Sequence, residues 1–236
     1  MSWKSLLVAS EWRSKLYNFM EEKYAGIIEQ LKKVSENRIT PGREDMFNAF
    51  NLCDLNQVRI VLIGQDPYHS RKKSGHRVAH GLSFSYLNES ESDTFIPPSL
   101  ENIFKEIKKT VYSNDDSKVH KDFYNTNLTR WAKQNVLLLN VALTAEYGIA
   151  NKHTVYWSSF SQKVLKLLND KTDPICIILL GSEAKKYSEY FDVSKHKILK
   201  AGHPSPLNSN NDFLDSGVFE EARKWLKITY NQDIIW

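Results

Sequence analysis

Four short apolar segments, each ending in small or polar residues, restrict the possible folds of this chain more than any other feature. They are continuous runs rather than alternating patterns, and they cover residues 58–64, 136–140, 175–181 and, more weakly, 197–201. Continuous runs of this length are typical of strands covered on both faces, as in a parallel sheet. The sequence therefore predicts a central four-stranded, mostly parallel sheet.

Helical patterns lie between these runs. The spacing of apolar residues predicts amphipathic helices in the segments 99–107, 158–168 and 219–226, with Ser99 as the N-cap of the first. Strands that alternate with helices form right-handed βαβ units, which build a doubly wound sheet. We therefore expect an α/β fold of three layers, α/β/α, with residues 1–236 forming a single domain.

Length and composition exclude several classes of protein. The longest apolar run is about seven residues, whereas a membrane-spanning helix needs about 20. The first residues lack the apolar block of a secretory signal. Cys53 and Cys176 have no partner spacing, which favours free thiols in a reducing compartment. The formal net charge of +4 is too small to indicate a nucleic-acid partner by itself.

The residues that follow each strand are the candidates for chemistry, because ligands of doubly wound sheets bind beyond the carboxyl ends of the strands. A carboxylate, a phenol and an imidazole share one turn at Asp66, Tyr68 and His69. Asn140 ends the second strand, and its amide is complementary to the donor and acceptor of an imide edge, such as that of uracil. His203 follows the fourth strand. Taken singly, each of these residues also has an ordinary interpretation as a turn, cap or core residue.

Five segments that contain these residues occur in an order that resembles the uracil-DNA glycosylases of the large single-domain type. The resemblance extends over essentially the whole chain, and five such strings in a fixed order do not agree by chance. The segments are GQDPYH at 64–69, AHGLSFS at 79–85, PPSLENIFKEI at 97–107, WAKQNVLLLN at 131–140 and HPSPL at 203–207.

The resemblance implies an enzyme that rotates uracil out of DNA and hydrolyses its N-glycosidic bond. By this resemblance, Asp66 positions the attacking water and balances the positive charge that develops on the sugar. His203 stabilises the departing uracil anion as a neutral hydrogen-bond donor. The residues implied to bind uracil are Gln65, Tyr68, Phe84 and Asn140.

Tyr68 is implied to give the specificity against thymine. An apolar pocket discriminates one methylene by only about 10–200-fold, so a ring set against the C5 edge is needed to exclude the methyl group. The resemblance also implies contacts with the DNA outside the pocket, in which serines compress the phosphates and Leu207 fills the gap left in the stack. The residues implied to bind DNA are His69, Pro98, Ser99, Gly181, Ser182, Ser205 and Leu207.

The chain departs from the family pattern beside the catalytic turn. The segment 70–78 is longer than the family usually has and carries four positive charges, on Arg71, Lys72, Lys73 and Arg77. It is either a solvated loop or an extension of the DNA groove that contacts phosphates.

Other departures are scattered along the chain. The segment 86–96 is longer than usual, and Leu180, Tyr156 and Asn208 stand where the family commonly has tryptophan, glycine and serine. None of these positions is implied to be catalytic or to bind uracil. We therefore expect an active enzyme.

The resemblance implies no metal and no cofactor, and the histidines do not follow ligand spacings such as HExxH. We expect His120 and His196 at the surface. The expected partners are uracil-containing single- and double-stranded DNA and a DNA-mimicking inhibitor protein. We expect a monomer without membrane association, intracellular, in the nucleus, cytoplasm or nucleoid.

Two other functions are compatible with parts of this pattern. The chain is alternatively a DNA-tethering module for a replication partner, with secondary catalysis. A nucleotide-binding metabolic enzyme on a similar sheet is disfavoured, because the sequence has no Gly-x-Gly-x-x-Gly or P-loop string.

Overall fold

The computed structural model describes residues 2–90, 92–210 and 212–236. Its helices are α1 (Trp3–Leu6), α2 (Ser10–Lys32), α3 (Asn48–Leu52), α4 (Pro98–Thr110), α5 (Thr129–Ala132), α6 (Thr154–Asn169), α7 (Ser182–Lys186) and α8 (Val218–Tyr230). Its strands are β1 (Ile39–Thr40), β2 (Ile60–Gly64), β3 (Val136–Asn140), β4 (Ala145–Glu146), β5 (Cys176–Leu180) and β6 (Lys197–Ala201).

The main sheet has four parallel strands in the order β3-β2-β5-β6. Each is one of the four apolar runs, so the predicted α/β fold class is confirmed. The register pairs Gly64 with Asn140 and Leu180 with Ala201, which brings all four carboxyl ends to one edge of the sheet. The short strands β1 and β4 form a separate antiparallel pair.

The continuous apolar runs become strands because helices cover both faces of the sheet. Every residue of β2, β3 and β5 is buried, whereas the edge strand β6 exposes Lys200. Two aromatic clusters fill the layers between sheet and helices. One contains Trp12, Phe47, Phe50, Trp157 and Phe160, and the other contains Phe104, Trp131, Phe219 and Trp236.

Helix boundaries differ from the sequence-based prediction in two places. The N-cap of α4 is Pro97 and the helix begins at Pro98, so the prediction of Ser99 as N-cap is wrong. Proline suits the first helical position because its fixed φ fits the helix and its missing N–H needs no partner. Helix α6 begins at Thr154, four residues before the predicted segment 158–168.

The expectation that His196 lies at the surface is also wrong. The side chain is buried just before β6, where its Nδ1 accepts a hydrogen bond from the N–H of Ile175 at 3.2 Å. Its Nε2 lies 3.1 Å from the carbonyl oxygen of Asn169. The ring of His196, just before β6, therefore links this segment to Ile175, just before β5, and to the end of α6. His120 is exposed, as expected.

Both cysteines are buried and free, as their spacing predicted. Burial raises the pKa of Cys53 to about 12, so its thiol stays protonated at neutral pH. Among the described residues there is no helix with the length and apolarity needed to span a membrane.

Candidate active site

A cavity of about 250 Å³ opens where the carboxyl ends of β2 and β3 meet the loop after β6. The structure brings into it the two residues implied to be catalytic, all four implied to bind uracil, and two of those implied to bind DNA. The cavity is lined by Gly64, Gln65, Asp66, Pro67, Tyr68, His69, Phe84, Ser99, Asn140, Ala150, Asn151 and His203.

The innermost polar group of the cavity is the amide of Asn140. This side chain is 3% exposed, and its Oδ1 is buried without a hydrogen-bond partner among the residues that the structure describes. Gly64 makes room for it, because a Cβ at that position would lie 2.5 Å from Oδ1. A buried acceptor without a partner costs free energy, which a ligand donor would recover. The cavity is therefore built to accept a hydrogen bond from a bound molecule.

Two aromatic side chains form the walls. Phe84 has φ = +60°, a left-handed conformation that is rare for a bulky residue and costs energy. The preceding residue, Ser83, holds this segment on the sheet through its Oγ, which donates to the carbonyl of Leu62 at 3.1 Å. The ring of Tyr68 packs edge-on against Tyr86, with centroids 5.5 Å apart. Both walls are thus fixed by packing before any ligand binds.

The carboxylate of Asp66 is held by the loop before α6. The backbone N–H of Asn151 donates to Oδ2 at 2.5 Å, and Thr154 Oγ1 lies 3.4 Å from Oδ1. Burial raises the pKa of Asp66, while these two hydrogen bonds and nearby His69 oppose the increase. Thr154 is the first residue of α6, and a helix N-terminus favours a negative charge.

Asn151 and Thr154 do not stand at the end of a strand of the main sheet, so the sequence pattern did not indicate them. They follow β4, which lies outside the main sheet, and Asn151 acts through its backbone rather than its side chain. A helix predicted to begin at Thr154 would have indicated an N-terminus that favours a nearby carboxylate. The apolar residues predicted a helix only from residue 158, four residues after its actual start.

His203, which also lines the cavity, has one defined neutral form. The N–H of Ser205 donates to its Nδ1 at 3.0 Å, so the ring proton of a neutral His203 is on Nε2. Although the ring is exposed at the mouth of the cavity, the surrounding protein lowers its pKa. Gly181, at φ = +90°, allows this close approach, because a Cβ there would lie 2.9 Å from Cβ of His203.

Known proteins resemble this chain in sequence over most of its length. A sequence model described as the uracil DNA glycosylase superfamily matches residues 50–233. The chain belongs to this superfamily. A uracil-DNA glycosylase of Oceanobacillus iheyensis is 38% identical over 237 residues, covering 98% of this chain and 92% of the relative. One of Yersinia enterocolitica is 41% identical over 202 residues, covering 84% and 81%.

Solved structures agree with the sequence comparison. The crystal structure of mimivirus uracil-DNA glycosylase superposes with a TM-score of 0.86 at 26% identity, covering 100% of this chain and 89% of the other. A variant of the mimivirus protein, 27% identical, was solved in complex with UGI and superposes with a TM-score of 0.86. The predicted resemblance to uracil-DNA glycosylases is therefore confirmed.

A polar groove adjoins the cavity of this glycosylase-family chain. It is lined by Gly181, Ser182, Ser205 and Leu207, four of the residues implied to bind DNA, and by Lys185. Leu207 is 93% exposed at the tip of its loop. Pro98 is exposed at the start of α4, outside both the cavity and the groove.

Lys185 was not identified from the sequence. Its Nζ lies 3.8 Å from Asp212, and its side chain is 35% exposed. The neighbouring Lys186 pairs with Glu183 at 2.8 Å instead and does not line the groove. Lys185 and Lys186 are consecutive residues of a short helix, and the sequence does not indicate which of them faces the groove.

The charged insertion 70–78 is largely occupied with contacts inside the protein. Arg71 and Arg77 form an antiparallel bridge, and both guanidinium groups donate to the carbonyl of Ile39, at 3.4 and 3.2 Å. These contacts favour a structural role for the two arginines over a phosphate-contacting one.

Lys72 is similarly engaged. Its Nζ lies 2.5 Å from Asp93, 4.9 Å from the ring centroid of Tyr86 and 5.1 Å from that of Phe95. It thereby joins the insertion to the second long segment, 86–96. Lys73 is exposed and is the member of the four best placed to meet a phosphate.

The other departures from the family pattern lie beside the site rather than in it. Leu180 ends β5 and lines a second cavity of about 130 Å³ together with Gln65 and Tyr187. Asn208 donates from Nδ2 to the carbonyl of His203 at 3.0 Å. Tyr156 lies in the first turn of α6, where its ring packs 5.2 Å from that of His153. In the described part of the chain, no group of three or more His, Cys, Asp or Glu side chains is placed to hold a metal ion.

Proposed function

We propose that this chain is a DNA-repair glycosylase that flips uracil out of DNA, hydrolyses its N-glycosidic bond and leaves an abasic site, which starts base-excision repair. The observation that carries this proposal is the buried, unpartnered Oδ1 of Asn140 in a cavity that also contains Asp66 and a neutral His203. The alternative of a DNA-tethering module is not favoured, since tethering needs none of these groups.

Recognition follows from the amide of Asn140. Its Oδ1 accepts the N3–H of uracil and its Nδ2 donates to O4, whereas cytosine presents the opposite pattern on that edge. The ring of Phe84 provides a stacking surface for the base. Gln65, which precedes Asp66 in the same turn, lines the cavity where its backbone can reach the base.

Hydrolysis requires stabilisation of opposite charges on the two sides of the breaking bond. Asp66 holds the attacking water and balances the positive charge that develops on the sugar. His203 donates from Nε2 to O2 of the departing base, which leaves as an anion. Because His203 is already neutral, it stabilises this anion as a hydrogen-bond donor without first losing a proton.

Tyr68 would exclude thymine. Its ring is fixed against Tyr86, and its hydroxyl lies 3.5 Å from the carbonyl of Phe84. A fixed ring leaves no space for a C5 methyl group, so discrimination becomes steric and exceeds what an apolar pocket achieves by affinity.

The polar groove is proposed to hold the DNA backbone. Ser99 and His69 lie at the mouth of the cavity, and Ser182, Ser205 and Lys185 line the groove beyond it. Leu207 would occupy the gap that the flipped base leaves, as apolar wedges do in other proteins that distort DNA. Pro98 and Gly181 shape the two loops that approach the phosphates.

Partners beyond the substrate are part of the same proposal. We expect a monomer that accepts both single- and double-stranded DNA, and a DNA-mimicking inhibitor protein that competes for the groove. This expectation is supported by the mimivirus protein, a variant of which was solved in complex with UGI. Sedimentation analysis tests the monomer, and an inhibition assay with UGI tests the competition.

A single assay tests the function. An oligonucleotide with one uracil is incubated with the protein in EDTA, and abasic sites are then cleaved with alkali. We expect strand breaks at the uracil position, and rates lowered by orders of magnitude for Asp66→Asn and His203→Ala with DNA binding retained. Absence of breaks with the unaltered protein would overturn the proposal.

A further inference from the structure

One face of α4 contacts both ends of the segment that follows β6. Asn102, Glu106 and Lys109, at positions i, i+4 and i+7 of the helix, lie on that face. Asn102 Nδ2 donates to the carbonyl of Pro204 at 2.8 Å. At the other end, Lys109 lies 2.5 Å from Asp215.

Glu106 makes the most enclosed of these contacts. Its side chain is fully buried, and its carboxylate accepts the backbone N–H groups of Asp215, at 2.6 Å, and Gly217, at 2.8 Å. A buried carboxylate is tolerated only when hydrogen bonds satisfy it. This one anchors the end of the segment, immediately before α8, to the middle of α4.

Asn102 anchors the beginning of the segment. Pro204 is buried between His203 and Ser205, so its carbonyl oxygen needs a partner within the protein. The amide of Asn102 supplies that partner across 102 residues of sequence. The contact lies three residues before Leu207 and one residue after His203.

The tip of the segment is stiffened from within. The N–H of Leu207 donates to Ser205 Oγ at 3.2 Å, and Asn208 Nδ2 donates to both the carbonyl of His203 and Oδ1 of Asp212. On its other side, Pro204 follows His203 and strand β6, whose last residue Ala201 is paired with Leu180 of β5. A displacement of Pro204 is therefore transmitted to Leu207 rather than to the sheet-anchored side, which carries His203.

We propose that Asn102 is a positioning residue that fixes Leu207 relative to Ser99. Leu207 can then enter the duplex while Ser99 contacts a phosphate of the same DNA. Ser99 lies in the first turn of α4, and Asn102 follows it by three residues on the same rigid helix. One helix thus supports both loops that approach the DNA. This inference rests on the proposed uracil-DNA glycosylase function.

The inference predicts which substrates depend on Asn102. A wedge is needed only where a base must be removed from a paired, stacked duplex. Single-stranded uracil is already unstacked, so its excision uses the cavity without the wedge. Loss of the Asn102 contact should therefore lower activity on duplex DNA and leave single-strand activity unchanged.

The test compares Asn102→Leu, which keeps the volume and removes the donor, with the unaltered protein on matched single- and double-stranded substrates. We expect kcat/KM on the duplex to fall about tenfold, the factor that corresponds to one lost hydrogen bond with its carbonyl left unpaired. Single-strand kcat/KM should change by less than about twofold. In a Leu207→Ala background, Asn102→Leu should cause no further loss on the duplex.

A matched control comes from the same helix. Lys105 Nζ pairs with Glu101 at 2.7 Å rather than contacting the segment after β6. The double variant Glu101→Gln/Lys105→Gln removes this pair without changing the net charge, and both substrates should be processed as before.

Two results would overturn the positioning role. Equal losses on both substrates would indicate a general structural effect, and an additive loss in the Leu207→Ala background would separate Asn102 from the wedge. If Asn102→Leu does not fold, Asn102→Asp is judged by the same criteria. A failure of the proposed function is distinct, because the unaltered protein would then release no uracil from either substrate.

Discussion

The backbone N–H of Ser205 donates to Nδ1 of His203 at 3.0 Å, and this contact determines which nitrogen of the ring faces the cavity as a donor. Burial in the surrounding protein lowers the pKa of His203, so at pH 6.5 a larger fraction of this ring is neutral than for an ordinary histidine. The donor is therefore ready before DNA binds.

A pH profile tests this arrangement. We expect the acidic limb of kcat/KM that reports His203 to lie below pH 6.5, because burial lowers the pKa of this histidine from its ordinary value of 6.5. Nitrogen NMR of the labelled ring should show a proton on Nε2 and none on Nδ1. A titration of His203 at or above its ordinary value would contradict the prediction.

Asp66 should cost stability in exchange for activity. Burial raises its pKa above the ordinary 3.8, so the folded protein binds the proton more tightly than the unfolded chain does. For a carboxyl group, this means that ionisation destabilises the fold as the pH rises above 3.8. Asp66→Asn should therefore raise Tm at pH 7 while lowering activity by orders of magnitude.

The difference in Tm between Asp66→Asn and the unaltered protein should shrink as the pH falls towards and below 3.8, where protonation of Asp66 extends from the folded protein to the unfolded chain. Thermal melts at pH 7, 5 and 3.5 provide the measurement. A variant that is less stable at pH 7 would show that the hydrogen bonds from Asn151 and Thr154 outweigh the cost of burial.

Replacement of Tyr68 should relax the specificity. Tyr68→Ala removes the ring next to the C5 edge, so thymine enters the cavity and its excision becomes detectable. Tyr68→Phe keeps the ring and serves as the control, which should still reject thymine. The measurement is base release from matched duplexes with a single uracil or thymine mispair. Equal rejection of thymine by both variants would refute this role.

Lys185 should contribute one phosphate contact, whereas Lys186 should not. The logarithm of the DNA-binding constant falls with the logarithm of salt concentration by about 0.9 per phosphate contact on a duplex. Lys185→Gln should therefore reduce the slope by about one, and Lys186→Gln should leave it unchanged because Lys186 pairs with Glu183 outside the groove. Identical slopes for the two variants would argue against this assignment.

The charged insertion should affect stability more than DNA binding. Arg77→Ala removes the donors to the carbonyls of Ile39 and Glu36, and we expect it to lower the stability by about 1 kcal/mol with no change in salt slope. Lys73→Ala should leave Tm unchanged, because this side chain is exposed. Urea unfolding and DNA binding at several salt concentrations separate the two effects.

The sequence was most informative where one physical requirement acts on consecutive residues. The four runs predicted the sheet because a strand buried on both faces must be apolar along its whole length. Asp66 and Asn140 follow two of these strands, so the topology of a parallel sheet predicts that they lie together, and both line the cavity. These predictions depend only on local pattern and on the topology of parallel sheets.

The sequence was least informative where a contact joins distant segments or uses the backbone. Asn151 holds Asp66 through its N–H, which any residue except proline supplies. Asn102 meets Pro204 across the fold, and neither residue signals the other. No pattern in the sequence around His196 signals burial, and the ring is buried by contacts with Ile175, just before β5, and Asn169, at the end of α6.

The exposed leucine at the tip of its loop has a thermodynamic consequence. Leu207 is 93% exposed in the free protein, and in the proposed wedge role it would leave water when it enters the gap in the duplex. Its dehydration then contributes a term that salt does not screen and that carries a negative heat capacity. As temperature and salt concentration rise, the affinity for a site with a flipped base should therefore increase relative to the affinity for non-specific duplex DNA. Scanning along DNA and stable binding at a uracil site would then respond differently to these two conditions.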